Sequence, residues 1–273
     1  MLILAATPIG NLGDASPRLI EVLTEAKFIA AEDTRSLLKL AGMLKVKLNA
    51  KLFSLHEHNE GERIKQILEI AADETVVVVS DAGMPTVSDP GFLLVRAAVD
   101  AGIDVSVIPG PSAVLSALAV SGLPTDRFSF EGFLPRKSGE RRKTFQSLAS
   151  EPRTMVFFES PHRIKESLDD AAEVLGPDRQ ASVSRELTKK FEHTERGPLT
   201  ALIEWAKTDP KGEMVLVIAG AQPIEIAVGD LVIEVNKLVE GGEKLKPAVA
   251  AIAEQYGASK SELYRLVLDS RTA

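Results

Sequence analysis

The chain has 273 residues, 45% of them apolar, with no cysteine and a formal net charge of −7. That length predicts two domains with a substantial core. The missing cysteines exclude disulfides, thiol catalysis and Cys-ligated zinc. No apolar run reaches the roughly 18 residues a membrane span needs, and MLILAATPIGNL lacks the basic start and long apolar stretch of a secretion signal, so the expected location is the cytoplasm. The acidic balance argues against a surface coated in nucleic acid. Positive charge is local: residues 136–143, RKSGERRK, hold five basic residues and one acidic, and the tail carries Lys244, Lys246, Lys260, Arg265 and Arg271 against Glu254, Glu262 and Asp269.

Taken in order, Leu2 to Ala6 reads as a buried strand ending in the Gly/Pro loop Thr7 to Gly13. Ser16-Pro17 is an N-cap followed by proline at the first helical position, and Ile20, Leu23 and Thr24 continue at helical spacing. Phe28 to Ala31 is a second strand running into Glu32-Asp33-Thr34-Arg35, and Leu52 to Leu55 a third running into His56-Glu57-His58. Ile64, Ile67, Leu68 and Ala71 mark the next helix. The strand Val76 to Ser80 follows, then a long loop, then a helix capped by Asp89-Pro90 with Leu93, Leu94, Ala97 and Ala98 on its core face, then the strand Val105 to Ile108. Two strands separated by one helix predict a parallel βαβ unit, and ligands bind outside the carboxyl ends of such strands.

After Ser112 an apolar helix runs to Val120, and Pro124 to Arg127 is the expected boundary between domains. The second half repeats the alternation, with strands at Phe128–Gly132, Thr154–Phe158, Ala181–Ser184 and Met214–Ala219. Ser160-Pro161 is expected to cap the helix bearing Ile164 and Leu168, and 199–206 reads as another helix. Residues 221–229 form a linker by composition. The tail then shows two helical stripes, Val249-Ile252-Ala253 and Leu263-Leu266-Val267, with Gly257 at the turn and Ser259 to Glu262 as a capping box.

The glycine loops lack the G-x-G-x-x-G of a dinucleotide fold and the lysine of a P-loop. The segment Ser80 to Gly91 is long for a strand–helix connection and holds two carboxylates. Asp89 has a sufficient role as an N-cap; Asp81 has none and is suited to accept hydrogen bonds from a ribose or an amino group. No histidine cluster has metal spacing: His56, His58, His162 and His193 read as surface or capping residues. Glu32, Asp33 and Glu159 stand at strand ends, where spacing leaves catalysis and ion pairing with Arg35 and Arg163 both open.

The segments TPIGNLGD, AEDTR, SDAGMPTVSDPG, PGPSA, LPTDRFSFEGFLP, ESPHR and RELTKKFE, in this order from Leu4 to Gly220, resemble the ribosomal RNA small-subunit methyltransferase I family of the tetrapyrrole-methylase (class III) superfamily. The resemblance implies an α/β protein: two α/β domains, 1–123 and 124–222, with a cleft between them, and a small helical domain at 230–273. It implies S-adenosylmethionine as methyl donor without a metal, the ribose 2′-hydroxyl of a cytidine in 16S ribosomal RNA as acceptor, and a homodimer. Carried over by position, Pro8, Asp81, Gly83, Val87 and Asp89 line the donor, Ser112 and Ala113 cover its adenosyl part, and Phe158, Leu187 and Met214 complete the pocket. Glu32, Asp33, Arg35 and Glu186 face the acceptor, and His193 stands where a second glutamate often follows FE.

Methyl transfer from a sulfonium cation needs alignment more than a metal. A positioned base would assist a ribose hydroxyl; Glu186 or Lys189 is the candidate, against an ion pair of Glu186 with Arg185, Lys189 or Lys190. RNA contacts are expected from Arg35, from the loop residues Arg136, Lys137, Arg141, Arg142 and Lys143, and from Lys246, Lys260, Arg265 and Arg271 in the tail. With 5% aromatic residues, binding of single strands along stacked aromatics is disfavoured. The rival readings are a methylase for a small tetrapyrrole-like substrate, a nucleotide-binding module that binds RNA without chemistry, and a dehydrogenase.

Overall fold

Short runs of β-branched and small apolar residues build the first sheet: β1 (Leu2–Ala5), β2 (Phe28–Ala31), β3 (Lys51–Ser54), β4 (Val76–Val79) and β5 (Val105–Ile108). All pairings are parallel, in the order β3-β2-β4-β1-β5. The four valines of β4 are buried on both faces, as a central parallel strand requires. Helices α1 (Pro17–Glu25) and α2 (Thr34–Met43) cover one face through Leu19, Leu23 and Leu37. Helices α3 (Glu60–Asp73) and α4 (Phe92–Asp100) cover the other through Ile67, Ala71, Leu94 and Ala98. The chain leaves β1 toward β2 and β4 toward β5, in opposite directions, so the ends of these neighbours flank a topological switch point.

The structure is a computed structural model describing residues 1–56, 59–222, 228–256 and 258–272. His58, Gly257 and residues 223–227 of the expected linker lie outside the described residues.

The second sheet is mixed. Its strands β6 (Phe128–Phe133), β7 (Thr154–Glu159), β8 (Gln180–Arg185), β9 (His193–Pro198) and β10 (Met214–Ile218) lie in the order β6-β7-β10-β8-β9. Only β6 and β7 run parallel. Helices α6 (Ser138–Ser147), α7 (Ile164–Leu175) and α8 (Leu199–Ala206) cover one face through Phe145, Leu168 and Leu202. The other face is covered by α5 (Ala113–Val120), whose Val114, Ala117 and Leu118 pack on Val156, Val215 and Val217. This helix precedes the expected boundary at Pro124 yet packs on the second sheet. It is apolar around its circumference, which suits burial between elements.

Met1–Ala221 form one compact unit and Gln222–Ala273 another. The second unit has three helices among its described residues, α9 (Val228–Glu240), α10 (Leu245–Tyr256) and α11 (Lys260–Thr272). They close around Leu231, Val235, Val249, Ile252, Leu263 and Val267. Two stripes were expected; α9 is an addition. No described helix is long and apolar enough to cross a membrane.

Several local expectations are corrected. Residues 193–198 form the edge strand β9, whose largely polar sequence carries no apolar alternation. Residues 34–43 form α2, capped by Asp33, which accepts from the Arg35 N–H at 2.8 Å. Ser160 does not cap α7: its Oγ accepts from the His162 N–H, and the helix begins at Ile164. The basic segment is mostly the helix α6, not a loop, and Arg141 lies inside the protein rather than facing RNA. Arg141 is four residues from Phe145 and so shares its buried helix face; its side chain is 1% exposed. Its Nε donates to Asp170 at 2.7 Å, and its Nη1 to the carbonyls of Pro135 and Arg136. Burial alone would raise the Asp170 carboxyl, but hydrogen bonds from Arg142, Ser138 and Arg141 hold it below the usual range.

Replacing Arg141 by Ala removes one of the two guanidinium groups that hold the buried Asp170 carboxylate, with Arg142 and Ser138 still bonded to it. In urea unfolding, Arg141→Ala is expected to lose about 2–3 kcal/mol, whereas Arg136→Ala, at an exposed position, stays within about 0.5 kcal/mol of the parent.

Candidate active site

Three loops at the strand ends of the first sheet interlock. The Thr7 N–H donates to the Gly83 carbonyl at 2.9 Å and the Gly83 N–H returns to Thr7 at 3.0 Å. The buried Thr7 hydroxyl donates to the Ser80 carbonyl. Gly83 has φ +79°, and a side chain there would touch Ile9 and the Pro111 carbonyl. A Cβ on Gly110 would fall 2.8 Å from the Ala6 Cβ, so the loop after β5 lies directly on the end of β1. Among the described non-glycine residues, six have positive φ; Thr86 and Ser88 belong to the loop after β4, and Glu186 and Thr188 to the loop after β8. Such strain gathers where surrounding structure enforces a functional shape.

Across from these loops stand the end of β7 and the start of β10. Phe158 packs edge-on against Phe130 and Phe133, with ring centroids 4.9 and 5.3 Å away. Between the two sides lies a cavity of about 500 Å³, within the usual range for small-molecule sites. The first side contributes Asp81, Gly83, Met84, Val87, Asp89, Ser112 and Ala113; the second contributes Phe158, Leu187 and Met214.

The charge of this cavity is one-sided. Five acidic residues line it, Glu32, Asp81, Asp89, Glu159 and Glu213, and no Lys, Arg or His among the described residues does. Glu159 is neutralised by Arg163 at 2.6 Å and also accepts from Ser167 and the Ser160 N–H. Glu213 pairs with Lys189 at 3.0 Å. Glu32 accepts from the Asp81 N–H, and Asp81 from the Ser36 hydroxyl. Asp89 is not the expected N-cap. Helix α4 starts at Phe92 behind Gly91, with no side-chain cap, and Asp89 lines the cavity instead. Burial pushes its carboxyl up to about 6, a bond from Ser80 opposes this, and the nearby charges of Glu32 and Asp81 add to the rise. Such a cavity repels phosphates and favours a cation.

Of the residues expected around a donor, Pro8 does not line the cavity; its neighbour Ile9 does. Glu186 and Lys189 do not line it either. They form an ion pair at 2.9 Å, with the Lys189 stem close against Gly10 and the Glu186 side chain against Gly212. The Lys189 bond, with a smaller opposing effect of burial, holds the Glu186 carboxyl below its ordinary range. Burial would lower Lys189, but its bonds to Glu186 and Glu213 raise it. A carboxylate of lowered basicity whose oxygen is tied to an ammonium is a weak base, and a protonated ammonium is none, so the ion-pair alternative describes Glu186. Glu159 and Ser160, at the end of β7, were legible as strand-end residues. Phe133, Glu213 and Val215 carried no signal, because only the sheet pairing brings them to the cavity.

The basic residues lie elsewhere. Arg136 and Lys143 are exposed, Lys137 pairs with Glu140, and Arg142 bridges Asp170 and Glu173. Arg35 is exposed and pairs with Asp33 at 2.6 Å. In the helical unit Lys246, Lys260 and Arg265 are exposed, and Arg271 donates to Asn236.

Residues 1–203 match the family of tetrapyrrole (corrin/porphyrin) methylases. The chain is 46% identical over 272 residues to a protein of Mycobacterium tuberculosis (strain CDC 1551 / Oshkosh) named ribosomal RNA small subunit methyltransferase I, spanning 99% of this chain and 95% of that one. The fold is similar to the crystal structure of the methyltransferase CobJ, with a TM-score of 0.60 and 20% identity over 83% of this chain and 96% of that one. It is also similar to uroporphyrin-III C-methyl transferase from Thermus thermophilus complexed with S-adenyl homocysteine, with a TM-score of 0.54 and 19% identity over 80% of this chain and 96% of that one.

The raised Asp89 carboxyl has a measurable consequence for stability. Its folded value of about 6 lies above the ordinary 3.8, so the folded state holds this proton more tightly than the unfolded chain. The contribution of Asp89 therefore falls as pH rises from about 4 to 6 and is fully unfavourable at pH 7 and above. Asp89→Asn is expected to raise unfolding stability by about 1–2 kcal/mol at pH 8, after allowance for solvent screening, with no gain near pH 4.

Proposed function

The chain belongs to the tetrapyrrole (corrin/porphyrin) methylase family and, within it, to the ribosomal RNA small subunit methyltransferase I group; on that premise we propose that it methylates the ribose 2′-hydroxyl of a cytidine in 16S ribosomal RNA. It is an S-adenosylmethionine-dependent methyltransferase. The proposed substrate is the RNA within the 30S subunit, and the proposed place of the reaction is the cytoplasm. The observation that supports the donor part of this reading is the cavity lined by five acidic residues and no basic one among the described residues.

S-adenosylmethionine, when bound, supplies a methyl group carried on a sulfonium cation. The chain's residues fit it: Asp81 and Asp89 offer negative charge to a cationic ligand, and Gly83, Ser112 and Ala113 leave backbone open to a flat one. Phe133, Phe158 and Pro161 add an apolar wall that excludes water. No side chain is assigned as base: Glu186 is ionised but weakly basic and tied to Lys189, and Lys189 is held protonated. Orientation of the acceptor hydroxyl supplies the rate. Exposed Arg35, Arg136, Lys137 and Lys143, with Lys246, Lys260 and Arg265 of the helical unit, are the proposed contacts to RNA phosphates. Arg142, already held by two carboxylates, is a weaker candidate. The working domain division is 1–123, 124–222 and 230–273.

The proposed assembly is a homodimer. Phe92, Leu93 and Val99 on α4, Val107 on the edge strand β5 and Leu115 on α5 are exposed apolar residues, which a second copy would cover. A small tetrapyrrole-like acceptor is the rival substrate, and it gives the exposed basic residues no role.

Incubation with labelled donor and undermethylated 30S subunits, followed by mapping of the modified nucleotide, tests the reaction; donor binding without label in RNA overturns it. Asp81→Ala is expected to weaken donor binding about tenfold or more and to leave RNA affinity unchanged. Arg136→Ala with Lys143→Ala is expected to spare donor binding and make the salt dependence of RNA binding shallower by about 0.7–0.9 per charge removed. Donor affinity should fall as pH drops below about 6, where Asp89 gains its proton. Light scattering is expected to give twice the monomer mass for the parent and the monomer mass for Phe92→Glu with Val99→Glu.

A further inference from the structure

A second hollow, of about 420 Å³, is lined by Arg185, His193, Trp205, Asp209 and Lys211 among others. It belongs to the face of the second sheet covered by α8. Arg185 follows Ala181 and Val183 at a period of two, so it points to the same face as they do. In register, Met214 of β10 stands opposite Arg185 of β8, and Arg185 stands opposite His193 of β9. Met214 also lines the donor cavity. The backbones of Arg185 and His193 therefore stand one and two strand spacings from that of Met214, roughly 5 and 10 Å. Asp209, on the hollow's rim, is close enough to His162 for their charges to interact, and His162 follows the cavity residue Pro161.

Unlike the cavity, the hollow has basic side chains in its lining. Trp205 is the chain's single tryptophan; it packs partly on the core and lies near-parallel to the His193 ring, 26° between planes. His193 is held by Glu195 at 3.0 Å. Arg185 donates to the Lys211 carbonyl at 3.2 Å, and among the described residues it has no hydrogen-bonded carboxylate. The Lys211 ammonium is occupied by Asp209. A fixed ring plane with a guanidinium beside it recognises an unpaired base and its phosphate, by stacking and by charge-assisted hydrogen bonds. One such platform does not require a chain rich in aromatics.

We propose that this hollow binds an unpaired nucleotide of the RNA neighbouring the one methylated, with its base on the Trp205–His193 rings and its phosphate on Arg185. The inference rests on the reading of the chain as an RNA methylase and names a subsite for its acceptor. It gives Arg185 and Trp205 a part in acceptor binding and none in donor binding.

The single tryptophan makes the test direct. Titration of the full chain with a cytidine hexanucleotide is expected to change Trp205 fluorescence saturably, and Arg185→Ala to weaken that binding about tenfold. With undermethylated 30S subunits, Arg185→Ala, His193→Ala and Trp205→Ala are expected to raise KM about tenfold, with donor Kd unchanged; Trp205→Phe retains a ring and restores most of the activity. If Trp205→Ala fails to fold, the Arg185 and His193 variants decide the matter, and their unchanged donor Kd reports an intact fold. Parental KM values in these variants, or no fluorescence response to the oligonucleotide, overturn the proposal. A parent chain that binds donor yet methylates no 30S RNA overturns the functional reading instead, and the fluorescence arm still decides whether the hollow takes a nucleotide.

Discussion

The paired backbone hydrogen bonds between Thr7 and Gly83 hold the end of β1 to the loop after β4, across the switch point of the first sheet. Everything on that side of the cavity follows from this junction. It fixes where the 80–91 loop departs, and so where Asp81 and Asp89 stand. It also brings Gly83 against Ile9 and the Pro111 carbonyl, closing the third loop onto the first two. The positive φ of Thr86 and Ser88 is tolerated because both ends of their loop are held, one at Thr7 and the other at the start of α4.

Negative charge is concentrated at the cavity and positive charge is kept out of it. Glu32, Asp81 and Asp89 are close enough for the first two to raise the third, an arrangement unfavourable to the folded protein and suited to a cation. The cations nearest the cavity are paired inward: Arg163 on Glu159, and Lys189 on Glu186 and Glu213. These pairs fix the walls, and no basic side chain lines the cavity among the described residues. The RNA-facing charge proposed for Arg136 and Lys143 is anchored from below by Arg141, whose guanidinium holds the carbonyls of Pro135 and Arg136. A residue with no exposure thus shapes a segment whose exposed members carry the charge.

The two halves of the first unit share their packing through α5, which links the last strand of the first sheet to the inner face of the second. Ser112, the N-cap of this helix, accepts from the Leu115 N–H and also lines the cavity. One serine therefore belongs to the helix start and to the site wall. A movement of the second sheet would be transmitted to the adenosyl side of the proposed donor pocket through this helix.

From the sequence by itself came the parallel first sheet, the loops at its strand ends, the Ser16 and Ser112 caps and the family, because these are recorded in local periodicity, turn chemistry and contiguous motifs. Only the tertiary structure decided which charges are internal. Arg141 sits in a run of basic residues, its helical spacing to Phe145 is a weak local signal, and its partner Asp170 is 29 positions away. Asp89 reads as a cap next to Pro90, and its place in the cavity depends on Gly91 starting α4 two residues further on. β9 is a polar edge strand that pairs, among the described residues, only with its sequence neighbour β8, and the cavity roles of Phe133 and Glu213 arise from pairing between strands distant in sequence. The same holds for Glu186 and Lys189, whose motif reads as chemistry and whose packing against Gly212 and Gly10 makes them an ion pair. Local sequence encodes which residues form an element; partners distant in the chain determine whether a charge on it is buried, paired or open to a ligand.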